Sequence, residues 1–159
     1  MITCDLHTHS TFSDGTFTPS QIVMEALRAN LSAVALTDHN TVAGLTEFLG
    51  AARGTALEAI PGVEISTGYL GKEVHIVGLF LEQEKYAQLT DFLDVINRRK
   101  EESNCALVAA LHTAGYELSY AEIRERHQGN VNRAVIAAEL LRKGYIREMK
   151  EAFRGVLSS

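Results

Sequence analysis

The sequence predicts an α/β fold in its first half, followed by an all-α segment. Three observations carry that expectation. Residues 1–82 alternate short apolar runs with amphipathic helical stretches, the pattern of βα units with parallel strands. Residues 83–159 keep helical spacing without a strand pattern. The histidines and carboxylates best suited to chemistry sit at the ends of the strand-like runs, where sites form along one rim of a parallel sheet.

Met1–Leu6 reads as the first strand. Thr18-Pro19-Ser20-Gln21 is a helix start, with Thr18 as N-cap, Pro19 at the first helical position and Gln21 closing a capping box. Ile22, Val23, Ala26 and Leu27 share one face of that helix. Leu31–Leu36 is apolar enough for a strand buried on both faces. Thr41–Arg53 follows as a helix, with Val42, Leu45, Phe48 and Leu49 inward, and Asp38 or Asn40 available to cap it. Ala56–Ile65 contains a third strand and Glu73–Leu81 a fourth.

Leu89, Phe92, Leu93, Ile96, Leu107, Val108 and Leu111 then repeat at helical spacing, predicting a long helix over residues 84–116 that Gly115 ends. Ser119 and Glu122 form a capping box for a short helix to about His127. Gln128-Gly129-Asn130 reads as a loop, Asn132–Lys143 as a helix closed by Gly144, and Ile146, Met149, Phe153 and Val156 as one more amphipathic helix.

Composition narrows the function classes. A chain of 159 residues, 46% hydrophobic and 22% charged, supports one packed core and excludes a disordered tail. There is no apolar run long enough to span a membrane. Residues 1–6 lack a basic signal-peptide region, so the expected location is the cytoplasm. A net charge of −5 argues against binding bulk nucleic acid such as a DNA duplex. Cys4 and Cys105 have no zinc-ribbon or redox spacing, and their apolar neighbours predict buried, reduced thiols.

Six histidines are more informative, because four lie in strand-end motifs. In Asp5-Leu6-His7-Thr8-His9, residues two apart on a strand share a face, so His7 and His9 can serve one divalent ion. Asp5 shares their parity and could fix a tautomer from behind. Ser13-Asp14-Gly15 turns the chain and offers a carboxylate. Thr37-Asp38-His39-Asn40 ends the second strand, and Glu64 ends the third. A carboxylate in an apolar strand is costly unless paired or bound to metal, and one between two cations offsets their repulsion. His75 lies within the fourth strand. Two surface histidines, a helix cap and a satisfied core imidazole are the alternatives for these motifs taken singly. Together, nitrogen and oxygen donors without cysteine suit Mn²⁺, Fe²⁺ or Zn²⁺, and more than four ligands imply more than one ion. His112 falls in the last turn of the long helix, where the dipole favours a positive group, and His127 and Arg98-Arg99-Lys100 read as helix-surface charge. Arg133 opens a helix, where it either faces solvent or adds to anion binding.

The motifs Asp5-Leu6-His7-Thr8-His9-Ser10, Ser13-Asp14-Gly15-Thr16, Leu36-Thr37-Asp38-His39-Asn40-Thr41, Pro61-Gly62-Val63-Glu64-Ile65-Ser66 and Glu73-Val74-His75-Ile76-Val77-Gly78 resemble, in order and spacing, those of the PHP (polymerase and histidinol phosphatase) family of metal-dependent phosphoesterases. The segment from Asn130 to Tyr145 is similar to the helical insertion of a subgroup acting on nucleoside bisphosphates and the 5′ ends of short RNAs. The resemblance implies a distorted seven-stranded (β/α) barrel with up to three divalent metals, Mn first and Fe or Zn as alternatives. His7 and His9 would bind the first, Glu64 would bridge first and second, His75 would bind the second, and Asp14 and His39 the third. Asp38 would stand behind the ligands or handle protons, and Arg133 would reach a substrate phosphate. The implied reaction is attack of metal-activated water on phosphorus.

Members of the family continue with strands bearing a later His, Asp and His, and a barrel of this type needs roughly 250 residues. The expectation is therefore residues 1–82 as the N-terminal part of the barrel, residues 83–159 as a helical segment including the insertion, and the C-terminal part absent. Such a chain would hold metal weakly, turn over little, and expose a sheet edge open to self-association. The competing expectation is a non-catalytic metal-binding or assembly module completed by a second chain.

Overall fold

The computed structural model describes residues 3–70, 72–127 and 131–157. They form two compact units, Met1–Ile96 and Asn97–Ser159. The predicted Gln128-Gly129-Asn130 loop lies outside the described residues.

The first unit is built on a four-stranded sheet in the order β1-β2-β3-β4, comprising β1 (Cys4–Thr8), β2 (Ala33–Leu36), β3 (Glu58–Tyr69) and β4 (Lys72–Leu79). β1, β2 and β3 run parallel, joined through α1 (Pro19–Arg28) and α2 (Leu45–Ala52). β4 pairs antiparallel to β3, from Gly62 opposite Leu79 to Tyr69 opposite Lys72. The expectation of parallel βα units holds for the three strands that helices separate, and the fourth strand runs antiparallel. No helix separates β3 from β4, and without a crossover two successive strands can only return antiparallel.

Thr18 caps α1 as expected, accepting from the Gln21 amide while Gln21 accepts from the Thr18 amide. β2 is buried along its whole length, in keeping with its unbroken apolar run. Val34, Leu36 and Val63 of the sheet pack against Ile22, Val23 and Ala26 of α1 and Leu45, Phe48 and Ala52 of α2. Leu93, with Tyr86, Leu89 and Ile96, adds the start of the long helix α3 (Tyr86–Thr113) to this core. That packing carries the first unit past residue 82. A 3₁₀ turn, Gln83–Lys85, leads into α3.

Several local expectations are corrected. α2 begins at Leu45 and not at Thr41, and neither Asp38 nor Asn40 caps it. Asn40 has φ 50°, a left-handed conformation that asparagine tolerates better than most residues but that stops a helix. Cys4 and Cys105 are both exposed, Cys4 because β1 is an edge strand whose side chains are mostly open to solvent. Two glycines are dictated by close approach. A Cβ on Gly15 would stand 2.0 Å from the His9 carbonyl oxygen, and one on Gly62 would stand 2.8 Å from the Gly78 carbonyl.

The second unit holds the C-terminal part of α3 with α4 (Tyr120–Arg126), α5 (Arg133–Arg142) and α6 (Met149–Arg154). Its core is Val108, Leu111, Leu118, Ile123, Ile136, Leu140, Ala152 and Leu157. Ala152 is buried in α6 and Phe153 is exposed, one position out of phase with the expected stripe. The Asn132 side chain caps α5 by accepting from the Val135 amide, and Gly144 beyond its end has φ 78°. Glu139 is buried and accepts from Arg126 and Arg142, which hold its carboxyl below the usual carboxylate range. Among the described residues no helix is long and apolar enough to cross a membrane.

Candidate metal centre

The C-terminal ends of β1 and β2, the loop after β1 and the middle of the β3–β4 hairpin bring His7, His9, Asp14, His39, Glu64 and His75 into one cluster; Glu64 does not end β3 as expected, because pairing with β4 carries that strand on to Tyr69. The register explains how. β2 and β3 pair with a constant offset from Ala33 opposite Glu58 to Leu36 opposite Pro61. The same offset continues beyond β2 as a parallel bridge between His39 and Glu64. There the Asn40 amide donates to the Glu64 carbonyl and the Glu64 amide to the Asp38 carbonyl. His75 stands opposite Ser66, one diagonal step from Glu64 on the same face of the hairpin. On the other side, β1 ends at Thr8 after an irregularity in its pairing between Asp5 and Thr8, and His9 follows directly.

Glu64 is the hub. Its Oε2 lies 2.9 Å from His7 Nε2, 3.2 Å from His9 Nε2 and 3.3 Å from His39 Nδ1. Its Oε1 lies 2.9 Å from His75 Nδ1. Asp14 serves the other side of His9 and His39, at 3.6 Å from His9 Nδ1 and 3.6 Å from His39 Nε2. The four rings form a chain, with centroids 5.0 Å apart for His7–His9, 4.5 Å for His9–His39 and 5.0 Å for His39–His75. Three groups of donor atoms close enough to hold an ion follow: His7-His9-Glu64, His9-Asp14-His39 and His39-Glu64-His75.

The donor set fits divalent ions better than it fits hydrogen bonding alone. His7 and His75 hydrogen-bond to Glu64, yet the buried His39 Nδ1 has no hydrogen-bond partner among the described residues, although Oε2 is 3.3 Å away. A buried polar atom left this way is costly. Two donors each about 2.1 Å from one ion stand about 3.0 Å apart at a right angle and about 3.4 Å apart at the tetrahedral angle, close to the separations seen around Glu64.

Protonation points the same way. Burial pushes the Glu64 carboxyl up, but hydrogen bonds from His7 and His75 and the charge of His39 outweigh it, leaving it below the usual carboxylate range. Burial lowers His39 below the usual histidine range; the carboxylates Glu64 and Asp14 oppose that shift, and His9 and His75 add to it. A neutral imidazole and an ionised carboxylate are the forms that ligate metal. Both depressed values mean that the unfolded chain binds more protons at acid pH, so stability rises with pH. Glu64 contributes fully above the ordinary carboxylate range and loses its contribution as pH falls through its lowered value. His39 costs stability once pH falls below the ordinary histidine range. The metal-free chain is expected to lose thermal stability steadily from about pH 7 to about pH 4. A midpoint that stays flat across that window contradicts this electrostatic account.

The remaining predicted residues fall elsewhere. The Asp5 carboxylate accepts from the His7 backbone amide at 3.2 Å, so it shapes the strand rather than a histidine tautomer. Asp38 is buried and accepts from the Ser10 amide, Ser10 Oγ and Ser13 Oγ. Arg133 opens α5 in the second unit, where its guanidinium donates to the Leu157 carbonyl at 3.5 Å. His112 is exposed and lies in the last turn of α3, the expected position. Ser10, Asn40 and Ser66 have structural work in the site that their sequence context does not announce. Asn40 Oδ1 accepts from the Ser66 amide at 2.8 Å, and its Nδ2 reaches Ser66 Oγ, tying the His39 turn to β3. An asparagine directly after a strand-end histidine is the only signal that could have pointed to this clasp.

A family model described as "PHP domain" matches residues 5–157. A 5′-3′ exoribonuclease of Haemophilus influenzae is 35% identical over 153 residues, covering 96% of this chain and 56% of that protein. A 3′,5′-nucleoside bisphosphate phosphatase of Chromobacterium violaceum is 29% identical, covering 99% of this chain and 56% of that protein. Among solved structures, a Bifidobacterium adolescentis protein superposes with TM-score 0.80 at 23% identity over 99% of this chain and 56% of that one. A Chromobacterium violaceum amidohydrolase, solved with bound sulfate and no metal, superposes with TM-score 0.78 at 30% identity over 95% of this chain and 54% of that one. The chain thus spans about half the length of the relatives it matches.

Proposed function

Because the chain belongs to the PHP domain family, we propose that its histidine–carboxylate cluster holds up to three divalent cations and serves the hydrolysis of phosphate esters. The observation that carries this reading is Glu64, a buried carboxylate within 3.3 Å of ring nitrogens from four histidines. His7, His9 and Glu64 would hold one ion, Glu64 and His75 a second, and Asp14 and His39 a third, each neutral imidazole serving one ion through its one lone-pair nitrogen. Mn²⁺ is the ion we propose first, with Fe²⁺ and Zn²⁺ as the others that a His/carboxylate donor set accepts. Such ions supply Lewis-acid stabilisation of charge on phosphoryl oxygens and acidify water. The protein's own part is to hold the donors deprotonated and fixed before substrate arrives. Glu64 would offset the repulsion between neighbouring cations, and the half-buried, neutral His39 has one lone-pair nitrogen to offer.

The names of the relatives in Haemophilus influenzae and Chromobacterium violaceum support a small phosphorylated substrate, a nucleoside 3′,5′-bisphosphate or the 5′ end of a short RNA. We read the four-stranded sheet as part of a distorted (β/α)7 barrel and the helices of the second unit as an insertion into it. Arg133 is the proposed contact for a substrate phosphate. Its replacement by Ala is expected to weaken nucleotide binding by about 10- to 100-fold and to leave Mn²⁺ binding unchanged. An unchanged nucleotide affinity removes Arg133 from the site.

The test of the function is release of inorganic phosphate from a nucleoside 3′,5′-bisphosphate by the protein carrying these residues. The expected result is release that requires Mn²⁺ and stops in EDTA and in the Glu64→Gln variant. Release that continues in EDTA or in Glu64→Gln contradicts the proposal.

A further inference from the structure

Asp38 sits next to His39 but shares no contact with any of the four clustered imidazoles among the described hydrogen bonds and ion pairs. Its carboxylate is spent on the loop after β1. Oδ1 accepts from the Ser10 amide at 2.7 Å and from Ser13 Oγ at 2.6 Å, and Oδ2 accepts from Ser10 Oγ at 2.6 Å. Asp38, Ser10 and Ser13 are 2%, 0% and 6% exposed, so these bonds form away from competing water. Charge-assisted bonds of that length are the strong kind.

The loop so held carries two of the proposed donors, His9 before it and Asp14 after it. It is closed on itself by the Ser13 and Gly15 amides, both donating to the Ser10 carbonyl. Ser13 Oγ also lies 3.4 Å from His9 Nδ1, the nitrogen facing Asp14. Ser13 Oγ lies 3.5 Å from Asp14 Oδ1 as well, and the Asp14 side chain is 44% exposed. Glu64, His39 and His75 are placed instead by the β2–β3 register and the β3–β4 hairpin.

We infer that Asp38 is a positioning residue dedicated to one cation subsite: through Ser10 and Ser13 it sets the loop that presents Asp14 and the Asp14-facing side of His9. The inference rests on the metal-centre reading above and assigns Asp38 neither a substrate contact nor a proton. Because Asp14 enters only the His9-Asp14-His39 group, loss of the anchor acts on the ion that Asp14 would hold and spares the one that Glu64 and His75 would hold. Groups behind metal ligands typically alter affinity by about 10–100-fold, and the subsite is expected to weaken by that amount.

The experiment is Mn²⁺ binding to the full 159-residue chain, with bound metal counted by elemental analysis after equilibrium dialysis, in wild type, Asp38→Ala, Asp38→Asn, Ser13→Ala and Asp14→Ala. Circular dichroism checks that each variant is folded. Asp38→Ala is expected to reproduce the Asp14→Ala deficit while keeping the remaining ions. Asp38→Asn, which retains an acceptor for two of the three donors, is expected to fall between Asp38→Ala and wild type. Ser13→Ala removes one anchor without burying an unpaired charge; it is expected to weaken the same ion, and it decides the matter if Asp38→Ala does not fold. A wild-type metal complement in Asp38→Ala, or in a folded Ser13→Ala when Asp38→Ala is unfolded, overturns the inference. Equal loss of every ion in a folded Asp38→Ala also overturns it, because the anchor would not be selective. A wild-type chain that binds no Mn²⁺ contradicts the metal centre itself, and the inference with it.

Discussion

The Glu64→Gln chain is expected to bind Mn²⁺ at least about 100-fold more weakly than wild type, beyond the range that groups behind the ligands command. The side chain is almost the same size, so the core around Val63 and Leu36 need not change. What changes is charge and donor character. The carboxylate belongs to two of the three donor groups, and its two oxygens face different histidines: His7, His9 and His39 on Oε2, and His75 on Oε1. An amide offers one acceptor oxygen and turns two N–H donors toward imidazoles. It also removes the negative charge that would sit between neighbouring cations. In metal-free protein the acid-side loss of stability should become shallower, because a group with a depressed pKa has been removed. Isothermal titration with Mn²⁺ and thermal melts across pH measure both effects. A variant with wild-type affinity would show that Glu64 is an ordinary buried acid paired with histidines.

Gly15→Ala is the second large effect, and it operates through the backbone. The added methyl would meet the His9 carbonyl oxygen at 2.0 Å, the His9 carbonyl carbon at 2.4 Å and the Ser10 amide nitrogen at 2.8 Å. None of these is the end of a flexible side chain, so the loop itself must open. That breaks the bond from the Gly15 amide to the Ser10 carbonyl and moves His9 and Asp14 apart. Overpacking of this kind costs about 1–3 kcal/mol. A denaturant titration should show a loss in that range, and the Mn²⁺ count should fall with it. Gly50 is the internal control, because a Cβ there meets nothing within 4 Å. Gly15→Ala with wild-type stability and metal content would mean that the Ser10–Gly15 turn is looser than the structure shows.

Much of this arrangement is legible in the sequence because strand periodicity is a geometric rule. His7 and His9 are two residues apart, and that spacing brings both rings to Glu64 even though β1 stops at Thr8. His39 follows the apolar run Ala33–Leu36, so parallel pairing carries it to the same rim as Glu64. Thr18 and Gln21 announce their helix through a local motif that needs no tertiary partner. The features that were not legible depend on contacts distant in sequence. The sequence predicts the third strand within Ala56–Ile65, but the ladder from Ser66, Thr67 and Gly68 to His75, Val74 and Glu73 extends it, with β4 antiparallel. Thr41–Gly44 reads as the first turn of a helix, but Asn40 commits its side chain to Ser66 and takes a left-handed backbone that delays the helix to Leu45. Cys4 lies in an apolar run whose burial depended on the strand being internal, and β1 is an edge. Ser10 carries no periodic signal at all, and its role emerges only from where Asp38 points.

The most direct test of the metal centre is anomalous diffraction at the manganese edge from crystals of the chain grown with Mn²⁺. The account predicts anomalous peaks among His7, His9, Asp14, His39, Glu64 and His75, each within about 2.0–2.3 Å of a ring nitrogen or a carboxylate oxygen. A map with no peak inside this cluster, at a Mn²⁺ concentration that loads other sites on the same chain, contradicts it.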